Sequence, residues 1–431
     1  MKINLDDGMP PNLSESLLPE ARNLQKLEKA GSLEKSQKSR SLQSFVSVNS
    51  EEYSCDEASY ADAVFSCIVV APQVVSVWRG TWGIMDLHPK LFPYAQIYLL
   101  GIIIHICFAL LRAKLHARSA GAYSSSDGGA GCWVTERILA RVYTYIFILS
   151  NIMHWRGGWG LLDEFVDTML PHKEDPHRPV LIATMTLVFY VTITILRSSR
   201  NLLASPYFLV TDGKEPTYIF STRFNMPNSR DTMLYILDCI FSVTVVGSLV
   251  VFVWRGSWAL LDIFLFPEDQ VKSCWTSMIV GYALVIVTFA LQAPVRWSAA
   301  RLHGAPRLLL ADVYHLVSFV ATVNVWRGVW GLLDIYFFPE TPKLSNWSSH
   351  IISLTLLILL NCSNSVIVRG VYIDAEEPAG ECVVFPCHYL RLFFHKERTK
   401  KRHRRALQAA AAAARKPEDA SMPLQMPEEK V

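Results

Sequence analysis

One phrase, written four times, limits what this chain can become. VWRGTWGIMD (77–86), HWRGGWGLLD (154–163), VWRGSWALLD (253–262) and VWRGVWGLLD (325–334) share the pattern W-R-G-x-W-[GA]-x-[LM]-D. Such recurrence marks an internal repeat, in which each unit buries its apolar face against neighbouring units. Each copy closes one apolar run, is followed by proline (Pro89 and Pro93, Pro171, Pro267, Pro339), and leads into a second run. The unit reads as a two-helix hairpin with the phrase at its turn.

The runs are long enough for a bilayer. Stretches at 61–77, 92–111, 138–153, 180–196, 233–253, 274–295, 308–325 and 347–368 read as eight spans, since a membrane core needs about 20 apolar residues in helix. The first, third and seventh carry Pro72 and Gln73, Arg141, and Asp312 with His315, and count as spans because the repeat requires them. Composition agrees: 51% of residues are hydrophobic and 18% charged, below the roughly one quarter usual in soluble domains. Even spans end at Arg112, Arg197, Arg296 and Arg369, and the tail adds HKERTKKRHRR. The positive-inside rule then places both termini and the even loops in the cytoplasm and the phrases outside. No basic segment followed by an apolar run opens the chain, so no cleaved signal is expected.

A longer period lies above the first. Copies one and three are 176 residues apart, and copies two and four 171. Two β-prone segments, 207–224 around an Asp-Gly turn and 371–385 around a Pro/Gly turn, read as hairpins under the last helix of each half. The expectation is an all-α integral membrane protein of eight transmembrane helices. They form four two-helix repeats in two parallel halves, 60–230 and 231–395, with small cytoplasmic β-hairpins. Residues 1–59 read as a disordered cytoplasmic tail, and 396–431 as a basic, alanine-rich one.

Polar residues within spans fall mostly on the odd helices, which should therefore face the interior. Asp238, Asp312, His315 and Asn324 could line a polar path. Asp62, Asp238 and Asp312 precede a phrase tryptophan by 16, 16 and 14 residues and could pair with the arginines ending the even helices; unit two has Arg137 and Arg141 instead.

Within the phrase, Trp78 and Trp82, Trp155 and Trp159, Trp254 and Trp258, and Trp326 and Trp330 are four apart, on one helical face. Indole suits a membrane–water boundary. Arg79, Arg156, Arg255 and Arg327 each precede an aspartate of the same copy (Asp86, Asp163, Asp262, Asp334) by seven residues. That is about 10 Å along a helix, too far for pairing unless the chain turns or a neighbouring copy supplies the partner. The glycine after each arginine permits a turn or a close helix crossing. Near-identical copies favour a structural seat, with an ion, ligand or lipid-headgroup site as the alternative.

Cys382 and Cys387 could be palmitoylated, with a structural thiol as the plainer reading, and Asn346 opens a glycosylation sequon. Nine cysteines show no metal spacing, and no hydrolase, kinase or redox motif stands in a credible setting. No enzyme, cofactor, metal or nucleic-acid partner is expected.

The chain resembles the Fuseless family over roughly residues 60–390, with HWRGGWGLLDEF and VWRGVWGLLDIYFFPE the most telling pieces. The resemblance implies an eight-pass neuronal plasma-membrane protein of the presynaptic active zone. Such a protein would localise voltage-gated calcium channels for synaptic transmission, with channels, active-zone proteins and membrane lipids as partners. It brings no catalytic residues. The rival is a transporter or channel for a small solute or ion, against which parallel rather than inverted repeats argue.

Overall fold

Each of the eight apolar runs gives one long helix. The computed structural model describes residues 60–124, 130–212, 220–226, 232–367, 380–387 and 389, with a few positions near 404–408. α1 runs through Tyr60–Phe65, a π-helical Ser66–Val70 and Ala71–Asp86; α5 likewise through Thr232–Phe241, π-helical Ser242–Val246 and Gly247–Phe264. Between and after them come α2 (Tyr94–Ser124), α3 (Ala130–Met169), α4 (Arg178–Ile195), α6 (Gln270–Arg301), α7 (Ala305–Tyr336) and α8 (Pro342–Leu359). Local chemistry sets their ends. Phe266 and Phe338, just past α5 and α7, take left-handed backbone before Pro267 and Pro339, which stops both helices. Asp269 caps α6 by accepting from the Lys272 N–H at 3.0 Å.

Six helices, α1, α2, α4, α5, α6 and α7, are long and apolar enough to cross a membrane. α3 and α8 differ because their polar residues are turned inward: Ser150, Asn151, His154 and Arg156 on α3, and Ser345, Asn346, Ser349, His350 and Ser353 on α8, are all buried. Hydropathy counts these groups against a span although lipid never meets them.

The odd helices form the inner ring and the even helices the wall. In their most apolar stretches α1, α5 and α7 are 61, 50 and 56% buried, against 28, 6 and 17% for α2, α4 and α6. The exposed faces are apolar, as on α4, where Val180, Leu187, Val188, Val191 and Ile195 point outward. This is a membrane protein.

The hairpin unit needs a correction. Each even helix packs chiefly against the odd helix that follows it: α2 on α3, α4 on α5, α6 on α7, and α8 back on α1. The hairpin joined at the phrase is thus not the packing unit, because the closest crossings fall at the phrase glycines of the next copy. A Cβ on Gly328 would lie 2.6 Å from the backbone nitrogen of Met278, and one on Gly157 2.6 Å from Cβ of Tyr98. Of the two roles open to this glycine, close crossing is the one used.

The β-prone segments do not form strands among the described residues; 213–219 and 371–379, which hold the expected turns, lie outside them, as does the tail 1–59. What is described turns back into the bundle. α4 and α8 are each followed by a 3-10 turn, Ser199–Leu202 and Ser363–Val366, entirely buried. Beyond them Leu209 bridges Cys387 in parallel, and Tyr207 packs on Phe385 with ring centroids 4.4 Å apart. Arg141, where unit two lacks the aspartate, pairs with Asp212 and donates to Ser363 Oγ at 2.6 Å. The described helices of both halves fall within one compact unit.

Candidate functional site

The four phrases meet on the axis of the inner ring. Trp78, Trp155, Trp254 and Trp326 form a closed square of edge-to-face contacts, with successive centroids 5.1, 5.5, 5.4 and 5.6 Å apart. Trp82, Trp159, Trp258 and Trp330 form a second square at 5.5, 5.6, 6.0 and 5.8 Å. Each such contact adds about 0.5–1.5 kcal/mol beyond area burial. The first square is not an interfacial belt. Its four indoles are buried, and Trp78, Trp254 and Trp326 donate to the backbone carbonyls of Val366, Leu202 and Ser205 at 3.1, 2.9 and 2.8 Å. The re-entrant turns after α4 and α8 supply these acceptors, which hydropathy could not have foretold.

Every phrase arginine reaches backwards around the ring. Arg79 Nε donates to Asp334 at 2.7 Å, Arg156 to Asp86 at 2.8 Å, Arg255 to Asp163 at 2.6 Å and Arg327 to Asp262 at 2.8 Å. Each partner belongs to the preceding copy, and the fourth closes on the first. The aspartates stay about half exposed while Arg79, Arg156 and Arg327 are buried. A buried guanidinium needs acceptors for all its N–H groups. Arg79 finds Ser349 and Ser345 on α8, each at 2.9 Å. Arg327 finds Ser277 and Ser273 on α6, each at 2.7 Å. Arg156 has no serines on α2, but donates to the Phe92 carbonyl at 2.8 Å and lies over the Tyr94 ring.

Arg255 is the exception. Its side chain is 21% exposed, and beyond Asp163 its polar contact among the described residues is with the face of Trp159, 5.1 Å from the ring centroid. The α4 positions equivalent to the paired serines are Leu181 and Met185. Ser345 and Ser349 lie five and one residues before His350, whose nitrogen meets Gly80, and Leu181 and Met185 stand likewise before Thr186, which meets Gly256. Leucine has no acceptor, and the methionine thioether is a far weaker one than a serine hydroxyl. A cleft of about 150 Å³ opens there, lined by Asp163, Arg178, Arg255 and Asp262 at one end and by Met185, Phe189 and Phe252 at the other. The near-identity of the four phrases hides this asymmetry, because its source is in α4.

A family model described as Fuseless matches residues 57–367, which hold all four phrases and all eight helices. The chain belongs to the Fuseless family. No curated protein and no solved structure matches it. The Fuseless match ends just past the turn Ser363–Val366.

The other residues singled out in this Fuseless chain do not converge. Asp238 is buried and accepts from Thr222 Oγ1 at 2.7 Å and from the Phe224 and Met226 N–H groups at 3.0 Å, so it pins a loop. It does not pair with Arg112, which stacks over Tyr235. Asp312 accepts from Ser199 Oγ at 2.9 Å, and His315 Nε2 meets the Cys382 carbonyl at 3.0 Å; both hold re-entrant segments. Asn324 bonds back to the Val320 carbonyl at 2.9 Å within its own helix. Each polar group serves a local contact, and they do not follow one another along a path.

The residues singled out for modification are buried. Cys382 and Cys387 are 1% and 0% exposed, and burial pushes the Cys387 thiol up, away from its reactive thiolate. Both fit the structural reading rather than palmitoylation. Maleimide mass-tagging of the folded Fuseless chain should leave both thiols unmodified until denaturant is added; labelling before then would contradict their placement. Asn346 is buried inside α8, and its side chain fills the space beside Gly83, 2.4 Å from where a Cβ would stand. A glycan has no room there.

Proposed function

We propose that this chain is a multi-pass neuronal plasma-membrane protein that organises the presynaptic active zone and localises voltage-gated calcium channels. All eight helices span the bilayer in this reading, with both termini and the re-entrant segments on the cytoplasmic side. The synaptic role follows what the Fuseless resemblance implies. The observation that favours a non-catalytic organiser over a transporter is the filled axis: two tryptophan squares stacked where a conduit would run. The cytoplasmic loops and the tails are the segments through which partners would be held.

The test is made in an animal lacking the gene. Channel clusters at release sites should fall, evoked release should fall with them, and the wild-type chain should restore both. Normal channel clustering in the null would refute the organising role. Solute flux through proteoliposomes that disappears in an Asp238→Asn, Asp312→Asn double variant would instead favour a transporter.

A further inference from the structure

The cleft beside Arg255 breaks the fourfold pattern, and its chemistry is two-signed. At its polar end the terminal nitrogens of Arg255 have no partner among the described residues, where its hydrogen bond runs from Nε to Asp163 Oδ1. Asp163 and Asp262 each use Oδ1 to bind an arginine, which leaves both Oδ2 atoms open. Arg178, also at this end, is held by Asp167 and by the Leu170 carbonyl. Open guanidinium donors therefore sit beside two open carboxylate oxygens. A simple anion would meet the guanidinium but be repelled by the acids, and a simple cation the reverse. A group carrying phosphate and ammonium in one headgroup satisfies both sets.

The other end of the cleft is apolar. Met185, Phe189 and Phe252 form its wall, and Phe189 lies eleven residues along α4 from Arg178. That is about 16 Å of helix from the polar end to the far end of the apolar wall, long enough for a headgroup followed by the first part of an acyl chain. α4 is also the least buried wall helix, so the cleft lies where the bundle meets lipid. The position in the sequence matters too. The other three arginines are filled from within the protein by serines, or by a carbonyl and a tyrosine face. At the third, Leu181 and Met185 leave the vacancy open.

We propose that this cleft binds one zwitterionic phospholipid. The phosphate sits on the terminal nitrogens of Arg255, the headgroup cation on Asp163 and Asp262, and an acyl chain lies along Met185, Phe189 and Phe252. The lipid stands in for the two serine hydroxyls that α4 lacks.

The test uses the full chain purified in detergent, with native mass spectrometry as the readout. The probes are phosphatidylcholine, phosphatidylglycerol and water-soluble phosphocholine. Wild type should retain one phosphatidylcholine, and at least about tenfold less of either other probe, the size of one charge-assisted contact. Arg255→Gln should lower retention of phosphatidylcholine by about tenfold. Because that variant also opens the ring, a second is needed. Leu181→Ser with Met185→Ser recreates the hydroxyl pair of α6 and α8, so it should keep the fold and the thermal midpoint while losing the lipid. Equal retention of phosphatidylcholine by wild type and the double-serine variant would overturn the proposal. Phosphatidylglycerol held as tightly as phosphatidylcholine would overturn the part assigned to the aspartates. Phosphocholine held as tightly would overturn the part assigned to the apolar wall.

Discussion

Gly328→Val should abolish the folded protein. At this crossing α7 approaches α6 so closely that a Cβ would stand 2.6 Å from the Met278 nitrogen and 2.7 Å from its Cα. Overpacking costs about 1–3 kcal/mol where side chains can move aside. Here the obstacle is backbone, so the whole of α6 would have to shift, and the cost should exceed about 3 kcal/mol. That is a large share of the roughly 5–15 kcal/mol that holds an average domain. In detergent the variant should elute as aggregate rather than as a sharp peak. The second glycine of the same phrase gives a contrast. At Gly331 the nearest atom is Cys274 Sγ, 2.2 Å from an added Cβ, and the next is 3.4 Å away. Gly331→Ala should therefore destabilise, and Cys274→Ala should recover most of the loss. The third copy already has Ala259 at this position. A soluble, monodisperse Gly328→Val would show that the crossing is not as close as described.

The second large effect concerns the ring of ion pairs. Asp262→Asn should cost about 2 kcal/mol, below the 3–5 of a fully enclosed pair because the carboxylate is half exposed. The informative quantity is the coupling. A double-mutant cycle between Arg327→Gln and Asp262→Asn should return about 1–2 kcal/mol. The cycle between Arg327→Gln and Asp334→Asn, within one phrase, should be additive to within about 0.5 kcal/mol. Unfolding free energies in mixed detergent give both values. Coupling inside the phrase as large as that between phrases would sink the backward-reaching ring.

Much of this was written in the chain. The four phrases marked four equivalent helices, and the polar residues on the odd runs placed those helices inside. Pairing between neighbouring copies was one of the two geometries that a seven-residue gap allowed. Three things could not be read. Hydropathy says that a helix is long enough but not which helix it touches, so the packing of α2 on α3 rather than on α1 was invisible. The segment after α4 reads as a hairpin because Tyr207, Phe208 and Leu209 carry β propensity, yet these residues form no strand. Their burial is decided instead by remote partners, such as Thr288 for the Tyr207 hydroxyl at 2.6 Å. The vacancy at Arg255 depends on Leu181 and Met185, which look like ordinary lipid-facing residues until the serines of α6 and α8 are set beside them.

The closure of the ring through α8 also bears on how the protein is made. Arg79 leaves the ribosome 255 residues before its partner Asp334, and the α8 serines that complete its bonding come later still. Until the fourth phrase emerges both tryptophan squares lack a corner and two of their four contacts, and until α8 follows α1 offers the lipid a buried-type arginine and a groove cut by Gly80 and Gly83. A nascent chain therefore carries an open seam through most of its synthesis, one that membrane chaperones would have to shield. A late nonsense or frameshift lesion, even one between the fourth phrase and α8, would leave that seam open for good. Such lesions should be cleared by quality control as fully as early ones.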